Sequence, residues 1–283
     1  MATVATQAVP RQVPLRIAPS RRWHDVGWRE LWAFRELFVF FVWRDFKIRY
    51  KQTVIGVAWA LLQPFLTMLV FSLVFGRLAR LPTNGLPYPV FYYSALLPWS
   101  YFAAGLQNAT NVMVEQQRLI TKIYFPRLVL PVSAVLSGLI DFAIAFIMLI
   151  ALMIYYHIAP GKAVLLLPGF LLLAILTALG FGLWLSALNA IYRDVRYVVP
   201  FLIQFWMFVS PVAYSSSLVP ERWRWMYGLN PMAGVIEGFR WALMGHAVAP
   251  GPLFAASAGG VFSVLLGGLL YFRSIEGTVA DIV

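Results

Sequence analysis

Six stretches of this chain are apolar for about the length needed to cross a bilayer. Short segments rich in Arg, Lys, Pro and Gly separate most of them. The stretches lie at 54–75, 90–113, 128–156, 163–190, 197–214 and 253–272. A helix needs about 20 apolar residues to span the hydrocarbon core. Of 283 residues, 61% are hydrophobic and 12% charged, where a soluble domain carries roughly twice that charge. The pattern therefore predicts an all-α membrane protein with six transmembrane helices. The second stretch ends in Gln107, Asn108, Thr110 and Asn111. A polar end of that kind predicts a face turned to protein or water, not to lipid.

The charge distribution orients the spans. Before the first apolar block lie ten basic residues, among them Arg44, Lys47, Arg49 and Lys51. Arg118, Lys122 and Arg127 follow the second block, Arg193 and Arg196 the fourth, and Arg273 the last. Fewer cations fall on the opposite side. The positive-inside rule then places both termini in the cytosol. A net charge of +11 could also suggest nucleic acid. Here the basic clusters flank apolar spans, which fits anionic lipid headgroups and excludes a nucleic-acid role. The chain has no cysteine, so disulfides and thiol chemistry are excluded.

Residues 1–27 carry Arg11, Arg16, Arg21 and Arg22 with three prolines and no apolar h-region. They are expected to form a flexible cytosolic tail without a signal peptide. Residues 28–52 follow as an N-terminal amphipathic interface helix, and residues 53–283 as the six-span domain. At 100° per residue, Arg29, Glu36, Arg44, Lys47 and Lys51 share a face with Ala33 and Phe40. Trp28, Leu31, Phe38, Val42 and Phe46 cluster opposite, blurred by Arg35 and Arg49. Such a helix lies in the cytosolic interface. It serves either as an anchor or as a surface for a partner or an anionic headgroup.

Residues 218–252 are too apolar for a solvated loop. Asn230-Pro231 and Gly238 interrupt them, so no piece is long enough to cross. The expected form is a re-entrant helix pair between spans five and six, bent at Asn230-Pro231. A pair lying flat in an aromatic belt is the other reading.

Catalytic signatures are missing. The chain contains no G-x-x-x-x-G-K-[ST], no H-E-x-x-H, and three scattered histidines, His24, His157 and His246. No catalytic residue and no metal ligand set is assigned. Asp141 is a lone charge deep in a span, where such groups are costly. With no second acid or His beside it, it is expected to pair with a neighbouring helix through Arg or Tyr, or to be protonated and bonded to backbone. Glu237 and Arg240, at i,i+3, can pair on one face, in a structural role or as the brace of an external gate. Two cytosolic loops stand out. The first, 115–127, is expected to hold a short helix with Ile120, Ile123 and Tyr124 facing inward. The second is compact, with Arg193, Asp194 and Arg196 available to another protein.

Several of these segments together resemble a known family. They are Trp43-Arg44-Asp45-Phe46-Lys47-Ile48-Arg49-Tyr50-Lys51-Gln52-Thr53-Val54-Ile55-Gly56 and Trp59-Ala60-Leu61-Leu62-Gln63-Pro64. Leu97-Pro98-Trp99, Lys122-Ile123-Tyr124-Phe125-Pro126-Arg127, Arg193-Asp194-Val195, Asn230-Pro231 and Glu237-Gly238-Phe239-Arg240 follow in order. The chain resembles the membrane (permease) subunit of ABC exporters for O-antigen, capsular polysaccharide and teichoic acid.

The resemblance implies a transport subunit of the bacterial cytoplasmic (inner) membrane, paired with a second copy of itself and two cytosolic P-loop ATPase subunits. ATP and Mg would then sit on the partner ATPase, with no cofactor on this chain. The implied cargo is a polyprenyl-diphosphate-linked glycan whose diphosphate meets Arg44, Lys47, Arg49 and Lys51. The sugar chain would slide along aromatic side chains. A cytosolic gate helix near 115–125 and contacts to the ATPase are implied for Glu115, Arg118, Lys122, Arg127, Arg193, Asp194 and Arg196. External gate helices are implied near 220–245, with Trp223, Tyr227, Asn230, Pro231, Glu237 and Arg240. The rival readings are an ABC permease for drugs or small lipids and a membrane glycosyltransferase or ligase using polyprenyl-linked sugar.

Overall fold

The computed structural model describes residues 28–51, 56–245 and 252–282. The tail at 1–27 and the junction at 52–55 lie outside the described residues. The described residues are helical, with no strand among them. Helices α1 (Trp28–Ala33) and α2 (Arg35–Lys51) lead into α3 (Gly56–Phe71), which a π-helical turn, Ser72–Leu78, extends. Then come α4 (Tyr88–Glu115), the single turn α5 (Gln117–Ile120) and α6 (Val129–Tyr155). A 3-10 segment, Lys162–Leu166, precedes α7 (Leu167–Ile191), followed by α8 (Val195–Val209). Helices α9 (Glu221–Gly228), α10 (Pro231–Met244) and α11 (Pro252–Ile282) complete the chain.

Four of these are long and apolar enough to cross a membrane: Ala58–Leu78, Val129–Tyr155, Lys162–Ile191 and Phe254–Glu276. Helix α4 is 28 residues long but falls outside that set. It forms the centre of the molecule, against α3, α6, α7, α8 and α10. Val90 through Trp99 are buried without interruption, so polarity on this helix meets protein. Its polar end is satisfied in that way: Asn189 Nδ2 donates to the Thr110 carbonyl at 3.0 Å. Tyr93 and Tyr101 donate across to the Ala145 and Val135 carbonyls of α6, at 3.1 and 3.2 Å. Small residues let the helices approach closely. A Cβ on Gly182 of α7 would stand 2.8 Å from the Ala109 Cβ of α4.

Helix α8 is 15 residues long and stops at Val209, short of the end expected at 214. Pro211 disfavours helix at the residue before it, and Ser210 is extended, with ψ 154°.

The N-terminal helix differs from the face expected of it. Phe34 separates α1 from α2. The buried side chain of α2 is Phe41, flanked by partly buried Phe34, Leu37 and Phe38. Trp43, Val39, Phe40 and Ile48 point outward beside Lys47. Apolar residues therefore occupy both faces. The packing partner decides which is buried, because Phe41 sits 5.9 Å from the Phe125 ring.

Candidate functional site

Helix α2 runs along α6 and brings three of its polar side chains to fixed partners. Arg44 donates to Asp45 and, at 3.1 Å, to Gln116 beyond the end of α4, with its guanidinium 4.7 Å from the Phe41 ring centre. Arg49 and Tyr50 both donate to the Asp141 carboxylate. Asp141 lies 12 residues into α6, about 18 Å along its axis at 1.5 Å per residue. The expected pairing of Asp141 to Arg or Tyr is thus made with both. Burial first, then the bond to Asp141, pushes the Tyr50 phenol well above its ordinary value. Of the four cations set out for an anionic headgroup, Arg44 and Arg49 engage carboxylates, while Lys47 and Lys51 are exposed.

The Arg49–Asp141–Tyr50 cluster forms one wall of an open cavity of about 850 Å³ between α3, α4 and α6. Trp59, Gln63, Trp99 and Asn108 also line it. Gln63 and Asn108 are not legible as a pair in the sequence. The available signal is an amide in the middle of the first apolar stretch and another in the polar end of the second.

At the other end of the molecule, α9 and α10 are helices joined at Asn230-Pro231, as expected. Asn230 caps α10 by accepting from Met232 N at 3.1 Å, and Pro231 takes the first helical position, where its missing N–H costs nothing. The same Asn230 accepts from Trp206 Nε1 at 2.9 Å and donates to Ser210 Oγ at 3.0 Å. It therefore ties the end of α8 to the start of α10. Gly238 does not interrupt α10, as the sequence suggested. It sits mid-helix because a Cβ there would stand 2.2 Å from the Phe170 ring of α7.

Arg240 is 3% exposed. Its guanidinium donates to the carbonyls of Phe91, Val212 and Tyr214 at 3.1–3.4 Å and lies 3.6 Å from the Phe91 ring centre. Glu237 acts on it electrostatically. The cation thus clamps three separate segments: α4, the turn after α8, and α10. Tyr227 of α9 joins this region by donating to Tyr214 Oη at 3.0 Å. Burial, and then its bond to Tyr214, pushes the Tyr227 phenol up. Trp223 is half exposed and apart from the clamp.

The candidates in the loops after α4 and α7 do not converge on one point. Glu115, Arg118, Lys122, Arg193, Asp194 and Arg196 are exposed. Arg196 stacks on its neighbour Tyr197, donating to the phenol at 2.7 Å. Ile120 turns inward as expected, but Ile123 and Tyr124 are exposed. Helix α5 ends after one turn, and Phe125 takes the inward place. The Arg127 backbone N donates to Glu276 Oε1 at 3.1 Å, and Arg273 donates to the same carboxylate's Oε2 at 2.9 Å. That cluster joins the start of α6 to the end of α11.

Four helices long and apolar enough to cross a membrane, with an open cavity among the helices, define a helical membrane protein. Residues 36–244 match the family model described as "ABC-2 type transporter". The chain belongs to that family. It is 31% identical over 234 residues to the O-antigen export system permease protein RfbA of Myxococcus xanthus, covering 81% of this chain and 89% of that one. It is 28% identical to RfbA of Klebsiella pneumoniae, over 72% of this chain and 79% of the relative. It is 26% identical to the polysialic acid transport protein KpsM of Escherichia coli, over 82% and 91%. The relatives are transport components, not enzymes. Membership implies a membrane setting and a separate ATPase partner that carries the nucleotide.

Proposed function

We propose that this chain is the permease subunit of an ATP-driven exporter that moves a lipid-linked polysaccharide out of the cytosol. The observation that carries this reading is the family match, joined to relatives named for O-antigen and polysialic acid transport across more than four fifths of the chain. These 283 residues contain no P-loop, which agrees with it.

In this reading α4 and α8 complete six crossings, and both termini face the cytosol of a bacterial inner membrane. Residues 28–52 form the interface helix and 53–283 the transmembrane domain. The pair α9–α10 returns on the outer side as a re-entrant gate, with Trp223 and Tyr227 on α9 and Asn230, Pro231, Glu237 and Arg240 holding α10. Two copies of the chain, with two cytosolic P-loop ATPases carrying ATP and Mg, enclose the path. The outward stripe of α8, with Tyr197, Phe201, Phe205 and Phe208 exposed at helical spacing, supports a second copy. An aromatic, apolar face of that kind packs a neighbour or a sliding sugar chain.

On the cytosolic side Glu115, Arg118, Lys122, Arg127, Arg193, Asp194 and Arg196 supply the gate and the ATPase contact. Exposed Lys47 and Lys51 meet the diphosphate of a polyprenyl-linked glycan, with Arg44 and Arg49 behind them. The test is purification of the tagged chain from its own cells. Recovery of a stoichiometric P-loop ATPase is expected. Recovery of the chain alone, in a detergent that preserves known ABC complexes, overturns the reading.

A further inference from the structure

The chain has five asparagines, Asn84, Asn108, Asn111, Asn189 and Asn230. The last four are partly or fully buried, and Asn230 precedes a proline, which has no backbone N–H. Asn84 differs from them. It is exposed, it is followed by Gly85, and it lies in the loop that joins the π-helical turn to α4. The carbon that an asparagine amide offers for attack lies within reach of the backbone nitrogen of the next residue. A glycine at that next position puts no Cβ in the way.

The local geometry leaves the nitrogen available. Asn84 and Gly85 have φ of 54° and 83°, as the two central residues of a type I′ turn do. The residues on either side close that turn. Leu86 N donates to the Thr83 carbonyl at 3.2 Å, and Thr83 Oγ donates to the Leu86 carbonyl at 2.6 Å. Gly85 N makes no hydrogen bond among the described residues. The space beside its Cα is open, since a Cβ there would meet nothing within 4 Å. The Asn84 amide is tied at one point, where Nδ2 donates to Ser215 Oγ at 3.1 Å. That bond fastens the loop to the turn after α8, next to the Tyr214 carbonyl that Arg240 holds.

We propose that Asn84 is a site of spontaneous covalent modification, in which Gly85 N attacks Asn84 Cγ and closes a five-membered imide. The new bond is N–Cγ and the broken one is Cγ–Nδ2. Nδ2 leaves as ammonia, carrying the proton that Gly85 N gives up. Water then adds to either imide carbonyl and reopens the ring. One opening leaves aspartate at position 84, and the other leaves isoaspartate, in which the backbone runs through the former side chain. Solvent water is the co-reactant, and nothing is oxidised or reduced. The bond to Ser215 restrains the amide and slows closure of the ring. Both products replace the amide with a negative charge beside the turn that Arg240 holds, and isoaspartate also lengthens the backbone of the loop. The proposal goes beyond the exporter reading and does not depend on it.

The test uses the full chain in lipid nanodiscs, incubated in neutral and in mildly alkaline buffer made with heavy-oxygen water. Peptide mapping by mass spectrometry reads each asparagine, and electron-transfer fragmentation separates aspartate from isoaspartate. Conversion is expected at Asn84, with uptake of the heavy oxygen, and at none of the other four over the same period. It should speed up with pH, because the attacking nitrogen must shed its proton. Asn84→Gln is expected to stay unconverted. Ser215→Ala is expected to convert faster by about twofold to tenfold, the factor that one neutral hydrogen bond represents. An unchanged rate in Ser215→Ala overturns the restraint. No conversion at Asn84 while the free peptide of residues 81–87 is largely converted, or earlier conversion at another asparagine, overturns the site.

Discussion

Arg240 offers a quantitative test of how α4, the turn after α8 and α10 are held together. Its guanidinium reaches carbonyls on three segments and stacks on Phe91. Hydrogen bonds from a charged donor contribute about 1.5–3 kcal/mol each, and a desolvated cation–π contact about 2 kcal/mol. Burying the cation costs several kcal/mol against that gain. Arg240→Lys keeps the charge but loses the planar fork, so one ammonium cannot serve three carbonyls spread around a guanidinium. A loss of about 2–4 kcal/mol is expected. Arg240→Met fills the space but leaves the Val212 and Tyr214 carbonyls without this donor, at about 1–3 kcal/mol each. For a domain of this size each kcal/mol shifts the midpoint by about 2–4 °C. The assay is thermal unfolding of purified protein in lipid nanodiscs, followed by intrinsic fluorescence at one fixed scan rate. Arg240→Lys is expected to melt about 4–16 °C lower and Arg240→Met about 4–24 °C lower. A methionine variant melting within 1 °C of the parent would refute the clamp, since no orphaned carbonyl would then have been felt.

Other substitutions probe other joints. Gly238→Ala must displace the Phe170 ring and is expected to destabilise by about 1–3 kcal/mol, measured by the same melt. Trp206→Phe removes the indole bond to Asn230 and should cost about 1 kcal/mol, while Asn230→Ala should cost more, since it loses the helix cap as well. Tyr50 bears on pH: its folded phenol is raised above the ordinary value of 10.0 by burial and by Asp141. Its contribution to stability is therefore full below pH 10 and is lost as pH climbs from there toward the raised value. Tyr50→Phe should reduce the alkaline dependence by Tyr50's share, seen as unfolding midpoints that fall less steeply above pH 10 than the parent's.

Much of the architecture was legible because membrane physics is simple. Apolar runs of span length became α3, α6, α7 and α11, and Asn230-Pro231 marked the joint between α9 and α10. Asp141 was read as a paired charge because an isolated one would be costly, and its partners proved to be Arg49 and Tyr50. The failures share a cause. Gly238 reads locally as a helix breaker, yet Phe170, 68 positions earlier in the sequence, explains it as a packing contact. The buried face of α2 could not be read from periodicity, because both faces carry aromatics and only contact with Phe125 selects Phe41. Ile123 and Tyr124 were placed inward by assuming a longer helix than the single turn of α5. The cavity needed three helices to exist at all. Gln63 and Asn108 lie on different helices, and nothing in their local sequence says that they line one cavity.

The central claim is that this chain conducts a glycan lipid under the control of a separate ATPase. The most direct measurement reconstitutes the chain with its co-purified ATPase in proteoliposomes and follows movement of a fluorescent polyprenyl-diphosphate-linked glycan across the bilayer. The account predicts ATP-dependent transfer that requires both chains and stops when the ATPase's P-loop lysine is replaced. Transfer at the same rate without ATP, or none with both chains present and hydrolysis intact, would contradict it.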